Sequence, residues 1–177
     1  MLDATGKPVK LEFLLVQAEF ERVLLPYKRN LADLGIEDRK ARIIDVGCGV
    51  GALMAGLAEA GFSEIWGTEL SDYRVAASRA RFPGRIFAGG YKGVPDEFRF
   101  DVIYSHHVLE HIRVPADAID WIEGPLDRSG VVVLSVPDMR DESVPNQIFF
   151  LPHLHSFGPS SLQRLAESRG LRCIFWK

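Results

Sequence analysis

The sequence contains few of the features that mark secreted, membrane or nucleic-acid-binding proteins. Two cysteines, Cys48 and Cys173, are too few for a disulfide framework. No apolar run approaches the roughly 20 residues that span a bilayer, and the N-terminus lacks the charged-then-apolar pattern of a signal peptide. A net charge of −3 gives no basic excess, which disfavours a long electrostatic track for nucleic acid. These absences predict a cytoplasmic protein with one domain and no membrane partner.

Short apolar strands alternate with helical patterns along most of the chain. Apolar residues at mixed three- and four-residue spacing predict a helix over 11–34, as an N-terminal helical cover within 1–40. From 41 to 177 the alternation predicts an α/β, Rossmann-like fold: a doubly wound, mostly parallel sheet of six or seven strands with helices on both faces. The predicted strands are 42–46, 64–70, 85–88, 100–105, 130–136 and 171–176, and the helices between them are 51–60, 73–81, 116–123 and 159–169. Since six strands can be counted, the sheet is expected to lack its last strand or to contain one not recognised, and its exposed edge would favour a homodimer.

The most informative stretch is the glycine-rich segment at 43–51. A short apolar run containing one acid, Asp45, is followed by glycines at 47, 49 and 51. This pattern predicts a buried strand that turns tightly into a helix, because glycine alone lets the backbone approach a ligand so closely. Unpaired amides at the start of a helix bind anionic or polar groups. The segment therefore predicts a nucleotide-like cofactor.

Two classes of cofactor compete for this loop. The glycine spacing over 47–52, with Glu69 close to the expected distance downstream, satisfies the dinucleotide fingerprint of NAD-dependent oxidoreductases. Asp45 argues against that reading, because a negative charge at the end of the strand does not suit phosphates and does suit a positively charged amine. The segment 105–112, which contains three histidines, has no obvious use in hydride transfer. NAD is therefore the less favoured alternative.

Three segments together resemble a known family. The run Asp-Val-Gly-Cys-Gly-Val-Gly at 45–51, the acid that ends the second strand, and Asp-Val-Ile-x-x-x-x-Val-Leu-Glu-His-Ile at 101–112 are similar to class I S-adenosylmethionine-dependent methyltransferases. The Val-Leu-Glu-His-Ile box is far more specific than the glycines. Residues 152–162 are similar to the corresponding region of small-molecule methyltransferases of the ubiquinone-biosynthesis type. The resemblance covers roughly 40–177 and implies S-adenosyl-L-methionine as the cofactor.

The resemblance also implies roles for individual residues of the cofactor site. The glycine loop would pass its backbone along the methionine part, with Asp45 near the ammonium group. Glu69 would accept hydrogen bonds from both ribose hydroxyls, and Leu70 would flank the adenine. Many relatives carry an acid soon after the third strand, but 88–92 has none, so backbone atoms or Asp96 replace it or cofactor affinity is reduced. The predicted cofactor-binding residues are Asp45, Gly47, Cys48, Gly49, Gly51, Glu69, Leu70 and Ser105.

Histidines and one glutamate form the second group of chemically useful residues. A histidine titrates near neutrality and can take a proton from an attacking hydroxyl, so His111 and His153 are the predicted catalytic residues. A metal site is the alternative, because on a helical turn His107, Glu110 and His111 share one face, and His153 could join them. RNA 3′-end 2′-O-methyltransferases have a similar layout, but His107 stands where a glutamate would be expected. The prediction is no bound metal, with these four residues as the alternative ligands.

The combined prediction is methyl transfer from S-adenosyl-L-methionine to a small-molecule or glycan-type acceptor, at oxygen. The chain lacks the Asn/Asp-Pro-Pro-aromatic box that DNA amino methyltransferases carry after the fourth strand, which disfavours N-methylation of bases. Alternatives left open are metal-dependent 2′-O-methylation of an RNA end, a non-catalytic S-adenosylmethionine-binding module and, less favoured, an NAD-dependent oxidoreductase.

Overall fold

The computed structural model describes residues 11–15, 36–138 and 152–176, and these form one seven-stranded sheet with flanking helices. Every recorded strand pair is parallel, in the order β4-β3-β2-β5-β6-β1-β7. The strands are β1 (Leu11–Leu15), β2 (Ile43–Val46), β3 (Ile65–Glu69), β4 (Ile86–Ala88), β5 (Phe100–His106), β6 (Leu126–Ser135) and β7 (Leu171–Trp176). The α-helices of the described residues are α1 (Ala52–Glu59), α2 (Asp72–Arg81), α3 (Pro115–Ile122) and α4 (Pro159–Glu167).

Helices cover both faces of the sheet, as the sequence predicted. Side chains alternate along a strand, so Ile43 and Ile44 belong to separate core clusters. The cluster of Ile43 includes residues of α1 and α2, and that of Ile44 includes residues of α3 and α4. Burial on both faces explains why the strands read as nearly continuous apolar runs. Among the described residues, no helix is long and apolar enough to cross a membrane.

The helix predicted over 11–34 is wrong at its beginning. Leu11–Leu15 is the strand β1, which lies between β6 and β7 with Phe13 opposite Val132 and Cys173. The misassignment has a physical cause, because a short apolar run fits a buried strand as well as a buried helix. Residues 16–34 of the predicted helix lie outside the described residues. The sheet thus takes a seventh strand from before residue 41. Among the described strands β7 lies at one edge, and a homodimer formed through an exposed edge remains a prediction.

The carboxyl ends of β2, β3 and β5 lie side by side and position the site. Val46 at the end of β2 pairs with Thr68 of β3 and with Ser105 of β5. The glycine loop follows β2, Glu69 ends β3, and the histidine-rich stretch follows β5. Ligands of open parallel sheets bind at this edge, so the residues of interest converge where such a ligand would lie.

Candidate active site

The glycine loop is held by the end of β3 through three successive backbone amides. The Gly47 amide donates to Thr68 Oγ1 at 3.3 Å and the Cys48 amide to the Thr68 carbonyl at 2.8 Å. The Gly49 amide donates to Glu69 Oε2 at 3.0 Å. Because both partners lie on one strand, β3 sets the conformation of the loop.

Gly47 is required by backbone conformation and by contact with the histidine box. Its φ is +77°, in the left-handed region that favours glycine, and a Cβ there would overlap the side chain of Val108. The loop after β2 therefore packs directly on the segment after β5. Cys48 is buried, and its Sγ would lie 2.7 Å from a Cβ added to Gly67 of β3. The Cys48 side chain packs against the sheet, so a cofactor contact would involve its backbone.

Glu69 is buried and accepts three backbone hydrogen bonds. Besides the Gly49 bond on Oε2, its Oε1 accepts from the amides of Leu70 at 2.8 Å and Ser71 at 2.9 Å. A carboxylate offers about four acceptor positions, so within the described residues one position on Oε2 is left. One ribose hydroxyl could donate to this position. The predicted bond to the second hydroxyl would require one of the backbone amides to give up its hydrogen bond to Glu69.

Asp45 is a second buried acid beside the same loop. Its exposure is 4% and that of Glu69 is 7%. Burial, followed by the charge of Glu69, raises the pKa of Asp45 to about 7. Burial also raises the pKa of the Cys48 thiol to about 12, with Asp45 and Glu69 adding to the effect, so this thiol is a poor nucleophile. The site therefore contains two acids whose repulsion a ligand cation would relieve.

Gly51, Leu70 and Ser105 occupy three different surroundings. Gly51 is the N-cap residue of α1, with φ +83°. Leu70 is 76% exposed and lies over Gly90, as an uncovered apolar surface at the end of β3. Ser105 is buried and lines a cavity of about 20 Å³ together with Trp121 of α3 and other residues. That volume is close to one water molecule, too small for an adenine ring.

All five histidines of the chain lie within 106–111 and 153–155, and the fold brings these two segments together. The amides of Leu154 and His155 both donate to the Glu110 carbonyl, at 2.8 and 3.1 Å. The rings of His111 and His153 meet edge to face, with centroids 4.8 Å apart. Backbone pairing therefore fixes the second segment against the box after β5.

The Glu110 carboxylate lies at the centre of the histidine cluster. Its side chain is 1% exposed, and its Oε1 lies 3.6 Å from His107 Nδ1 and 3.9 Å from both His111 Nε2 and His153 Nε2. Burial raises the pKa of Glu110 to about 7, although the residue's own backbone amide and the charge of His111 act to lower it. Within the described residues neither carboxylate oxygen accepts a hydrogen bond.

The predicted helical face of the box is replaced by a tighter turn. Leu109–His111 forms a 3-10 turn, and His107 precedes it with φ +52°, in the left-handed region. The ligand atoms of Glu110, His111 and His153 lie within 4.8 Å of one another. Three of the four alternative metal ligands therefore lie together, and the fourth, His107, lies beside the Glu110 carboxylate.

The sequence reasoning missed Thr68, Val108 and Pro152 as site residues. A polar residue directly before the acid that ends β3 was a usable signal for Thr68. Val108 belonged to the recognised box, but its contact with Gly47 requires the fold. Pro152 acts through its carbonyl, which lies 2.9 Å from His111 Nδ1, and a backbone group leaves no signal in the sequence.

A family model described as a methyltransferase domain matches residues 18–174. The ubiquinone biosynthesis O-methyltransferase of Alkalilimnicola ehrlichii is 30% identical over 62% of this chain and 46% of that protein. The tRNA U34 carboxymethyltransferase of Idiomarina loihiensis is 27% identical over 56% of this chain and 34% of that protein. The chain therefore spans less than half the length of these curated relatives.

Solved structures share the fold. A putative sarcosine dimethylglycine methyltransferase from Galdieria sulphuraria superposes with a TM-score of 0.70 at 18% identity, over 84% of this chain and 61% of that chain. A SAM-dependent methyltransferase from Archaeoglobus fulgidus gives 0.67 at 17% identity, over 86% and 71%. At these identities the likeness concerns the fold alone.

Proposed function

The chain belongs to the class I S-adenosylmethionine-dependent methyltransferase family, and we propose that it binds S-adenosyl-L-methionine at the glycine loop and transfers the methyl group to a hydroxyl of a small-molecule or glycan-type acceptor. The observation that carries the cofactor is the pair of buried acids, Asp45 and Glu69, beside the glycine loop. An ammonium group offsets the charge of Asp45, and a ribose hydroxyl can donate to Glu69 Oε2. The phosphates of NAD would add negative charge to the same place.

The other loop residues fit the same ligand. The exposed Leu70 offers an apolar surface for adenine at the end of β3. Gly49 has an open side, since no described atom lies within 4 Å of where its Cβ would be, and backbone can approach a ligand there. Asp45, Glu69 and Leu70 would therefore contact the ammonium, the ribose and the adenine.

Methyl transfer to a hydroxyl requires the protein to align the reactants and to provide a proton acceptor. When bound, S-adenosyl-L-methionine supplies an activated methyl group on a sulfonium. The chain's residues then have to orient the acceptor and take the proton of its hydroxyl. His111 suits the role of proton acceptor. The Pro152 carbonyl beside its Nδ1 can only accept a hydrogen bond, so the proton of the imidazole lies on Nδ1 and the lone pair on Nε2. His153, whose Nε2 faces the same carboxylate, is the second candidate.

An oxygen acceptor is favoured by the histidine cluster and by the ubiquinone biosynthesis O-methyltransferase relative. The tRNA carboxymethyltransferase relative keeps an RNA acceptor as the competing proposal. The net charge of −3 argues against a long RNA footprint. A compact acceptor with a hydroxyl is thus the class to test first.

Titration calorimetry of the 177-residue chain with S-adenosylhomocysteine and with NAD tests the cofactor. We expect binding of the first only, and loss of that binding in Glu69→Ala. Glu64→Gln is the matched control, because Glu64 pairs with Arg85 at 3.1 Å, away from the loop. Binding of NAD alone, or equal affinity of the Glu69→Ala variant, would contradict the cofactor proposal.

Mass spectrometry after incubation with S-adenosyl-L-methionine and separate phenol, sugar and RNA panels tests the acceptor. A mass increase of one methyl group on a hydroxyl compound supports the proposal, and His111→Ala should slow it without weakening S-adenosylhomocysteine binding. Methylation confined to RNA would support the competing acceptor. Cofactor binding with no product in any panel would make the chain a binding module.

A further inference from the structure

The cluster around Glu110 has the composition and geometry of a cation site, and this inference does not rest on the proposed methyl transfer. A carboxylate that is 1% exposed and accepts no hydrogen bond within the described residues carries a large desolvation cost. Its Oε1 is the atom on which the ring nitrogens of His111 and His153 converge. Buried charges of this kind are paired or coordinate metals.

We propose that Glu110, His111 and His153 bind a divalent transition-metal cation of the Zn²⁺ class. The carboxylate oxygen lies 3.9 Å from each ring nitrogen. Bonds of about 2.0–2.2 Å in tetrahedral geometry would place ligand atoms roughly 3.3–3.5 Å apart. A shift of roughly half an ångström would close each of these two distances onto the ion, and a shift of up to roughly 1.5 Å would close the widest separation in the group, whose ligand atoms lie within 4.8 Å of one another.

The surroundings of the ligands match those of metal-binding histidines. His111 Nδ1 donates to the Pro152 carbonyl at 2.9 Å, which turns Nε2 toward Glu110 as the lone-pair nitrogen. A hydrogen bond from the second ring nitrogen to a carbonyl is the usual support of a ligating histidine. His107 Nδ1 lies 3.6 Å from Glu110 Oε1, as a third ring nitrogen close to the carboxylate.

The donor set selects the type of ion. Two imidazoles and one carboxylate are the ligands of catalytic Zn²⁺ sites and of non-haem Fe²⁺ sites, which leave positions open for another ligand. Mg²⁺ requires oxygen ligands and is disfavoured by the two nitrogens. His111 is partly exposed, with 38% of its side chain accessible, so an ion can reach the cluster from solvent.

Ion binding would change the role of two residues in the proposed reaction. With the Nε2 lone pairs of His111 and His153 committed to the ion, neither imidazole can take a proton there. The ion would then orient an acceptor oxygen at its open position. Metal binding and cofactor binding can be measured separately, so failure of one proposal is distinguishable from failure of the other.

The test is metal binding to the full chain prepared without a histidine tag. We expect one equivalent of Zn²⁺ by calorimetry and elemental analysis, Co²⁺ with visible absorption typical of nitrogen and oxygen ligands, and no binding of Mg²⁺ at equal concentration. Glu110→Gln and His153→Asn should each weaken Zn²⁺ binding by roughly 100-fold or more. Circular dichroism and thermal unfolding establish that each variant is folded.

His155→Gln is the matched control. His155 lies two residues from His153, but its Nε2 lies 3.2 Å from the Arg113 carbonyl instead of facing Glu110. This variant should bind Zn²⁺ as tightly as the parent. Absence of stoichiometric Zn²⁺, Mg²⁺ binding of equal strength, equal loss in His155→Gln, or a thiolate-to-cobalt absorption that places the ion on a cysteine would each overturn the proposal.

Discussion

The ionisation of Asp45 should oppose folding, and this effect can be measured without any ligand. Burial and the neighbouring Glu69 raise the pKa of Asp45 from its ordinary value of 3.8 to about 7. Since the folded protein binds this proton more tightly than the unfolded chain, the Asp45 contribution to the free energy of unfolding falls as the pH rises from about 4 to about 7. The raised pKa corresponds to roughly 4 kcal/mol. Asp45→Asn, which is neutral and similar in size, should remove this dependence.

Urea denaturation of both proteins at several pH values measures the effect. At about pH 4 the two should have similar stability, and at about pH 8 the variant should be more stable by up to roughly 4 kcal/mol. Glu110 has a pKa that is also raised to about 7, but it is present in both proteins and cancels in the difference.

Asp120→Asn is the control, because this exposed acid on α3 faces Arg169 at 3.3 Å. Its effect should stay below about 1 kcal/mol throughout, as for surface ion pairs. A difference between Asp45→Asn and the parent that is constant with pH would refute the reasoning. Binding of S-adenosylhomocysteine provides a second measurement. Because its ammonium group should lower the pKa of Asp45, the affinity of the parent protein for this ligand should fall as the pH drops below 7, by up to roughly tenfold per pH unit. The affinity of Asp45→Asn should not show this dependence.

Three further substitutions test the loop, each by urea denaturation and by calorimetry with S-adenosylhomocysteine. Gly47→Ala should lose roughly 1–2 kcal/mol from its left-handed backbone, and more from overlap with Val108; Val108→Ala in that background should recover part of the overlap, and no recovery would contradict the contact. Glu69→Gln should lose about 1–3 kcal/mol, because its amide group faces a backbone donor, and should weaken binding; unchanged stability would argue against the three hydrogen bonds. Gly67→Ala should destabilise the loop, because its Cβ would overlap the sulfur atoms of both Cys48 and Met54, and Cys48→Ala in that background should recover part of the loss; equal stability of the single and double variants would exclude the Cys48 sulfur as a cause.

Local patterns were sufficient to predict most of the sheet. The strands after residue 40 and the four helices are confirmed in type, because apolar runs, glycines and polar turns each report on the residues where they occur. The same reasoning failed at 11–15. That segment becomes a strand because it pairs with β6 and β7, and pairing with strands so distant in the chain is not encoded in local periodicity.

Within the site, too, local sequence predicted which residues are present, whereas their contacts depend on the tertiary structure. The acids Asp45 and Glu69 were recognisable at strand ends beside the glycine loop, whereas their burial and mutual repulsion depend on how β2 and β3 pair. The three hydrogen bonds that Glu69 accepts from backbone amides could not be predicted, since they arise from the paths of two loops. The family resemblance implied that Glu69 bonds to both ribose hydroxyls, and it took no account of those competing donors.

The sequence by itself determined the family, the parallel α/β architecture and the glycine loop, because these rest on contiguous segments whose residues act on one another directly. The tertiary structure alone decided that β1 completes the sheet, that Gly47 touches Val108, and that His153 faces Glu110 across more than 40 residues of chain. Such contacts depend on distances between segments that no local spacing specifies. The proposed cation site, which the sequence could offer only as an alternative, rests on a fold that buries one carboxylate among those histidines.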